Sequence, residues 1–404
     1  MTLASIDAAV AAFARGEFVI VVDDEDRENE GDLILAAERV DAEKIGFMIR
    51  HTSGLICVPM EGQRLDELGL PLMVLENTES HKTAFTVSVD AAVGTTTGIS
   101  SSDRSRTIRT LIDPATRPTD LARPGHVFPL RYQPGGVMVR PGHTEAAVDL
   151  ARMAGLVAAG VLCEVVNDDG TMARMGDLEV FATHHRIPLI TIADLVDHRW
   201  RTEAVLTHEV EADLPTELGT FRAHGYRSML DGSEHVALVF GEVAGEDRVL
   251  TRVHSECLTG DVFGSIRCDC GEQLEESMRR VVEQGSGVIV YDRRHEGRGI
   301  GLLQKLKAYR LQESGMDTVE ANVTLGHPVD ARHYGVDAQI LSDLKVESVR
   351  LLTNNPDKIE QLTRLGVEIV ERVPLEVGAS AHNVDYLNAK AEKMGHYLNG
   401  KTES

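Results

Sequence analysis

Apolar and polar positions follow two rhythms along this chain. Residues 18–22 and 55–58 are short continuous apolar runs of strand length, and residues 84–89 alternate as a half-buried strand does. The opening MTLASIDAAVAAFARGEF spaces its apolar residues as an amphipathic helix. Residues 144–156 repeat that spacing, with Thr144 as the expected N-cap and Gly160 beyond the end. Residues 189–192 read as a late buried strand. A polar stretch punctuated by Pro215 and Gly219 follows, so a domain boundary is expected near 200–210, dividing the chain into 1–202 and 203–404. The second half predicts strands over 236–240, 249–254 and 288–291. A glycine-rich turn then opens a long helix over about 300–312. Leu351 and Leu352 lead into a strand-to-helix turn at 353–356, and the chain closes on a helix rich in lysine and glutamate. The expected architecture is two consecutive α/β domains built on mixed sheets.

Bulk properties narrow the class. At 404 residues the chain exceeds the size at which a single core keeps growing, in keeping with two domains of about 200 residues. No apolar run approaches the ~20 residues that span a bilayer. The N-terminal segment has no basic start followed by an apolar block, so neither membrane insertion nor secretion is expected and a cytoplasmic location is. Five cysteines, mostly clustered, fit a reducing compartment better than a disulfide framework. A net charge of −23 repels nucleic-acid backbone and anionic membranes, so neither is an expected partner. Small phosphorylated substrates are not excluded. Arg104, Arg106, Arg109, Arg117, Arg123, Arg131 and Arg140 concentrate positive charge in one stretch, unless they are simply solvated loop residues.

Cys257, Cys268 and Cys270 lie within fourteen residues, and the second half holds no other cysteine. A structural zinc is closed by four protein ligands, whereas a catalytic zinc keeps one position open. Three thiols among Arg252, His254, Ser255, Glu256, Arg267 and Asp269 therefore point to an open zinc site. Free thiols, or a structural site completed by a histidine, are the competing readings.

In the first half a strand runs into Asp23, Asp24, Glu25, Asp26, Glu28, Glu30 and Asp32, with Arg27 among them. Either this is a solvated loop or the carboxylates gather around a hard cation such as Mg²⁺. Arg-Pro-Gly-His occurs at 123–126 and again at 140–143. Pro-Gly favours a turn, so each copy is expected to present an arginine and a histidine at a loop tip. The second copy precedes a helix N-terminus, which suits an anion. These features point to a sugar-phosphate site with acid/base histidines. Glu164, on the apolar run VLCEVV, is either paired or functional. Residues 295–301 (HEGRGIG) sit between a strand and a helix. They lack the spacing of a dinucleotide fingerprint and read as a phosphate-contacting loop carrying Arg298, or as a structural turn.

The motifs DDEDRENEGD, RPGHVFPL, RPGHTEAAVDL and NDDGTMAR resemble 3,4-dihydroxy-2-butanone 4-phosphate synthase. RVHSECLTGDVFGSIRCDCG, HEGRGIGLLQKLKAYRLQ, DTVEAN, LLTNNPDK and ERVPL resemble GTP cyclohydrolase II. In this order, covering nearly the whole chain, they are similar to the bifunctional riboflavin biosynthesis family that fuses the two. For the first half the resemblance implies conversion of ribulose 5-phosphate to dihydroxybutanone phosphate and formate with Mg²⁺ or Mn²⁺. Glu28 and His143 would hold the metal. Arg27, Glu28, Asp32, Arg140, Pro141, Gly142, His143, Thr144 and Glu164 would contact substrate, with His126 and Glu164 transferring protons. For the second half the resemblance implies hydrolysis of GTP to a diaminopyrimidinone ribosyl phosphate, formate and pyrophosphate, with one zinc on Cys257, Cys268 and Cys270. GTP would be held by Arg252, Val253, His254, Ser255, Glu256 and Gln273, and by Glu296, Gly297, Arg298, Thr318, Thr353 and Lys358. Asp330 would accept a proton, Arg332 would be the nucleophile of the phosphate step, and Tyr309 would be a further catalytic group. Homodimers are implied, with the first site completed across the interface. The alternative is a chain with one active half, the other serving as a scaffold or nucleotide-binding regulatory domain.

Overall fold

The structure, a computed structural model, describes residues 3–378, 383, 393 and 395–397. The chain forms two compact units, Met1–Arg199 and Trp200–Ser404. Among the described residues no helix is long and apolar enough to cross a membrane.

The first unit is built on seven strands: β1 Val19–Val22, β2 Gly31–Ala36, β3 Cys57–Met60, β4 Val89–Ala91, β5 Leu121–Arg131, β6 Gly160–Glu164 and β7 Leu189–Thr191. Their order is β4-β5-β3-β6-β2-β1-β7, mixed in direction. β1 and β2 are buried at every position, which is why β1 reads as an unbroken apolar run; β2 carries the buried Asp32 among its apolar residues. One face of the sheet (Ile20, Val22, Leu33, Leu35) packs with Ile45, Met48, Ile108 and Leu178 of three helices. The other (Val19, Val21, Ile34, Ala36) packs with Phe13, Ala146, Ala147 and Leu150 of two more. The result is a sheet between two helical layers.

The second unit holds β8 Leu206–Pro215, β9 Thr220–Ser228, β10 Glu234–Phe240, β11 Val249–Ser255, β12 Gly287–Asp292, β13 Val349–Leu352 and β14 Ile369–Val373, in the order β14-β13-β11-β12-β10-β9-β8. β11, β12 and β13 run parallel. Their carboxyl ends therefore open on one side, where α/β sheets build their sites.

Five sequence expectations change. The run at 55–58 shifts to β3, and residues 84–89 make only isolated bridges at Phe85 and Thr86 before β4 begins. The helix expected from Thr144 is His143–Met153, capped by Gly142, with Thr144 buried inside its first turn. The first Arg-Pro-Gly-His lies within β5 rather than at a loop tip. A Cβ at Gly125 would fall 2.0 Å from the Val89 backbone, so glycine there serves close strand approach. The polar stretch after β7 folds as helix Ile192–Thr202 and strand β8. Every residue of β8 is exposed or partly so, which leaves no apolar rhythm. Pairing with β9 makes the strand, and Thr216 and Gly219 exchange backbone hydrogen bonds at the hairpin turn. The closing lysine- and glutamate-rich segment lies outside the described residues.

Candidate functional site

In the first unit β1 delivers its carboxyl end into the acidic run, which splits by burial. Asp24, Glu25 and Asp26 are solvated, while Asp23 and Asp32 are buried. Asp23 organises the turn: Oδ1 accepts from the Glu30 amide at 2.9 Å, and Oδ2 from the Glu28 amide at 3.1 Å and Arg27 at 2.7 Å. Glu28 is thereby aimed at His143, whose Nδ1 lies 3.6 Å from Glu28 Oε2 and 3.9 Å from Asp32 Oδ1. The His143 Nε2 is 3.1 Å from the Val21 carbonyl. A carbonyl only accepts, so Nε2 carries a proton, and Nδ1 is the atom that faces the carboxylates, binding a second proton in the ion-free site or offering its lone pair to a metal.

The electrostatics are those of a cation site. Asp32 Oδ1 is buried without a hydrogen-bond partner, and burial, with Glu164 and Glu28 adding repulsion, pushes its carboxyl up to about 7. Glu28 is held at about 2 by its contact with His143, against burial. Burial opposes charging of His143, but Asp32, Glu28 and Asp23 outweigh it and raise the imidazole to about 9. Carboxylate oxygens beside one imidazole nitrogen suit a hard divalent ion.

The remaining expected groups converge from neighbouring elements. Glu164, at the end of β6, pairs across from Asp32, and Ser53 Oγ donates to its Oε2 at 2.6 Å. His126 is fixed by Asp90, which takes its amide at 3.0 Å and its Nδ1 at 2.8 Å. Gly98 (φ +90°) closes a loop directly over that pair, where a Cβ would meet Asp90 and His126 at 2.1 and 2.6 Å. A Cβ at Gly142 would lie 2.6 Å from an Arg140 guanidinium nitrogen and 3.1 Å from one of Arg27. Two guanidiniums thus approach the N-terminus of helix His143–Met153 closely, together with the buried Glu145, whose Oε2 would lie 3.0 Å from that Cβ and which pairs with Arg140 at 2.6 Å. Asp90 and Ser53 went unnoticed in the sequence, since each acts through a residue far along the chain.

In the second unit Cys257 follows β11, and Cys270 opens helix Cys270–Gln284. The Cys257 and Cys268 sulfurs are 3.6 Å apart, and a Cβ at Gly260 would lie 3.0–3.3 Å from atoms of all three cysteines. Hydrogen bonds from the other two thiols, with Lys305 Nζ 3.1 Å away, drive Cys257 toward thiolate. Its proximity in turn raises Cys268 to about 11. Without a metal one negative charge is thus shared by three sulfurs; a zinc ion would ionise all three. Among the described residues this ligand cluster contains three members.

The thiols form one wall of a cleft of about 1190 Å³ including its mouth. Arg252, His254, Ser255, Glu256, Gln273, Gly297, Arg298, Tyr309, Thr318, Arg332, Thr353 and Lys358 line the rest. Three expected contacts do not line it. Val253 is a core side chain whose carbonyl accepts from Lys358 at 2.7 Å. Glu296 is occupied by Lys305 and the Leu258 amide, each at 2.7 Å. Asp330 grips Arg332, accepting from its Nε at 2.8 Å, and this pairing keeps the carboxyl low although burial opposes it. Arg332 also reaches Ser255 Oγ at 3.3 Å. Lys305 and Asp261 were missed in the sequence. Asp261 accepts from the Cys257 amide at 2.9 Å and Tyr291 at 2.8 Å, and lies 3.0 Å from His254 Nε2.

Fold and comparisons together define a two-domain α/β enzyme. Residues 7–198 match the 3,4-dihydroxy-2-butanone 4-phosphate synthase family model, and residues 207–374 match GTP cyclohydrolase II. The riboflavin biosynthesis protein RibBA of Mycobacterium marinum is 57% identical, covering 98% of this chain and 95% of its own. RibBA of Nocardia farcinica is also 57% identical, covering 98% and 96%. The crystal structure of RibBX from A. baumannii, a two-domain 3,4-dihydroxy-2-butanone 4-phosphate synthase, matches with a TM-score of 0.71 at 36% identity, over 93% of this chain and 100% of that one. The chain belongs to the family of bifunctional riboflavin biosynthesis enzymes that join 3,4-dihydroxy-2-butanone 4-phosphate synthase, a lyase, to GTP cyclohydrolase II, a hydrolase.

Proposed function

We propose that the synthase reaction belongs to residues 1–202 and the cyclohydrolase reaction to 203–404, with the following division of labour. In the first unit Arg140, Arg27 and the amides at Gly142–Thr144 hold the phosphate of ribulose 5-phosphate. Asp32, through its unpartnered oxygen, takes a sugar hydroxyl. Glu28 and His143 hold Mg²⁺ or Mn²⁺, which supplies Lewis acidity where negative charge develops on the sugar oxygens. Glu164 has one oxygen occupied by Ser53 and the other available for a proton. His126, with Nδ1 fixed by Asp90, offers Nε2. These two groups carry the proton transfers that lead to dihydroxybutanone phosphate and formate.

In the second unit Cys257, Cys268 and Cys270 hold zinc, which supplies Lewis acidity for hydrolytic opening of the purine's imidazole ring. Lys305 offsets the charge of the thiolates. Burial raises the Tyr309 phenol, keeping it a hydrogen-bond donor beside the sulfurs. Arg252, Gln273, Arg298, Thr318, Thr353 and Lys358 hold the nucleotide. Arg332 acts at the phosphates. Its guanidinium, ion-paired with the ionised Asp330, stays protonated, so it meets the phosphates as a charge-assisted hydrogen-bond donor that Asp330 aims. The products are 2,5-diamino-6-(5-phosphoribosylamino)pyrimidin-4(3H)-one, formate and pyrophosphate. We assign the chain to the cytoplasm as a homodimer; the exposed Leu72, Met73, Val74 and Leu75 supply an apolar edge for a partner at the first unit.

The observation that carries this reading is the thiol triad sharing one cleft with the basic residues suited to a triphosphate. The test is formate release by the purified chain from GTP and, separately, from ribulose 5-phosphate. Formate from both supports it. Silence with either substrate overturns the assignment for that half.

A further inference from the structure

A third cluster of ligating groups stands on the β8–β9 hairpin, built from His208, Glu211 and His224. His208 Nε2 and His224 Nδ1 are 3.3 Å apart, and Glu211 Oε1 is 3.6 Å from each. Tetrahedral bonds of about 2.0–2.1 Å place ligand atoms about 3.3 Å from one another, so this triangle already has nearly the size of one face of a zinc tetrahedron.

The backbone is arranged to make the triangle. Residues three apart on a regular strand point to opposite faces. Here the register shifts between His208 and Val210, so His208 pairs with Tyr226 while Glu211 pairs with His224. Tyr226 and His224 share a face, and the bulge brings His208 and Glu211 onto it as well. His208 and Glu211 are also oriented from behind. His208 Nδ1 is 3.3 Å from Asp343 Oδ2, which also accepts from Tyr226 OH at 2.9 Å. The His208 ring stacks on Tyr226 at 4.7 Å. Arg222 donates to Glu211 Oε2 at 3.2 Å, leaving Oε1 for the cluster. A carboxylate behind a histidine that ligates through its other nitrogen is the usual support of a zinc-binding imidazole.

We propose that His208, Glu211 and His224 bind a divalent ion of the zinc class, separate from the thiol site, with a fourth position open to solvent. Two imidazoles and one carboxylate favour zinc and its first-row neighbours over Mg²⁺. Through Asp343 the ion ties the hairpin to helix Gly335–Asp343.

The test is zinc content per chain after equilibration with Zn²⁺ and gel filtration, in the full-length protein and in His224→Ala, Glu211→Gln and Cys268→Ala. Wild type is expected to carry about one zinc ion more than either His224→Ala or Glu211→Gln, with GTP turnover in those two variants unchanged. Cys268→Ala is expected to retain the hairpin ion. Glu211→Gln is nearly isosteric and decides the matter if His224→Ala folds poorly. Equal zinc content in wild type and Glu211→Gln overturns the proposal.

Discussion

A methyl group is enough to probe the first site at the scale of a residue. Gly142 has an ordinary extended backbone, so alanine is tolerated by the chain, but its Cβ would meet the ends of Arg140 and Arg27 and the Glu145 carboxylate that holds Arg140. Those flexible ends can swing away, and the phosphate contacts assigned to them go too. Gly142→Ala is expected to lower kcat/KM for ribulose 5-phosphate by about 10- to 100-fold, mainly through KM, while stability and GTP turnover hold. Unchanged steady-state kinetics would remove these contacts from the site. In the second unit Lys305 is buried between Glu296 and Cys257. Lys305→Met leaves a buried carboxylate short of its cation, and is expected to destabilise that unit by about 3 kcal/mol and to weaken zinc retention. Chemical denaturation read by a probe in the second unit checks the first effect, chelator competition the second.

At the scale of elements, helix His143–Met153 is buried through Ala151 and positions both His143 and the Gly142 cap to which metal and phosphate binding are assigned above. It is anchored by Asp149, which takes Arg199 at 2.7 Å, the Val137 amide at 2.8 Å and Tyr132 at 2.9 Å. Asp149→Ala removes the buried carboxylate shared by Arg199, the Val137 amide and Tyr132, at a cost of about 3–5 kcal/mol. Thermal unfolding of the first unit is expected about 10 °C lower, with GTP turnover intact. A melting temperature within error of wild type would contradict the anchoring. The same helix shows what the sequence could carry. Its apolar spacing was legible, but its start was not: Thr144 looks like a cap, yet the chain turns at Gly142 and buries Thr144. The two Arg-Pro-Gly-His copies make the same point, since one opens this helix and the other runs through β5. Local turn chemistry yields where a neighbouring strand offers pairing. The cysteine trio was legible because its members are close in sequence. Asp90, Ser53 and Lys305 were not, because each reaches its functional partner from a distant segment.

At the scale of the whole molecule, two units place two sites on two different sheets, and a chain of net charge −23 supplies its phosphate substrates with cationic sites only locally. The first site also gives this protein an unusual acid–base balance. Folding raises Asp32 from 3.8 to about 7 and His143 from 6.5 to about 9. Both groups bind protons more tightly folded than unfolded, so stability contributed by their protonated forms is lost as pH rises from about 4 to about 9. With a chelator present the first unit is expected to melt at lower temperature at about pH 8.5 than at about pH 6, and Mg²⁺ is expected to reverse the loss by taking the place of the protons. Melting that rises with pH in chelator would contradict the buried carboxylate–imidazole cluster. The separateness of the two centres is tested most directly by formate release from each substrate in wild type, Glu28→Gln and Cys268→Ala. Glu28→Gln is expected to lose about 100-fold or more with ribulose 5-phosphate and nothing with GTP, and Cys268→Ala the reverse. A variant that silences both substrates, or neither, would contradict two independent metal-assisted sites in one chain.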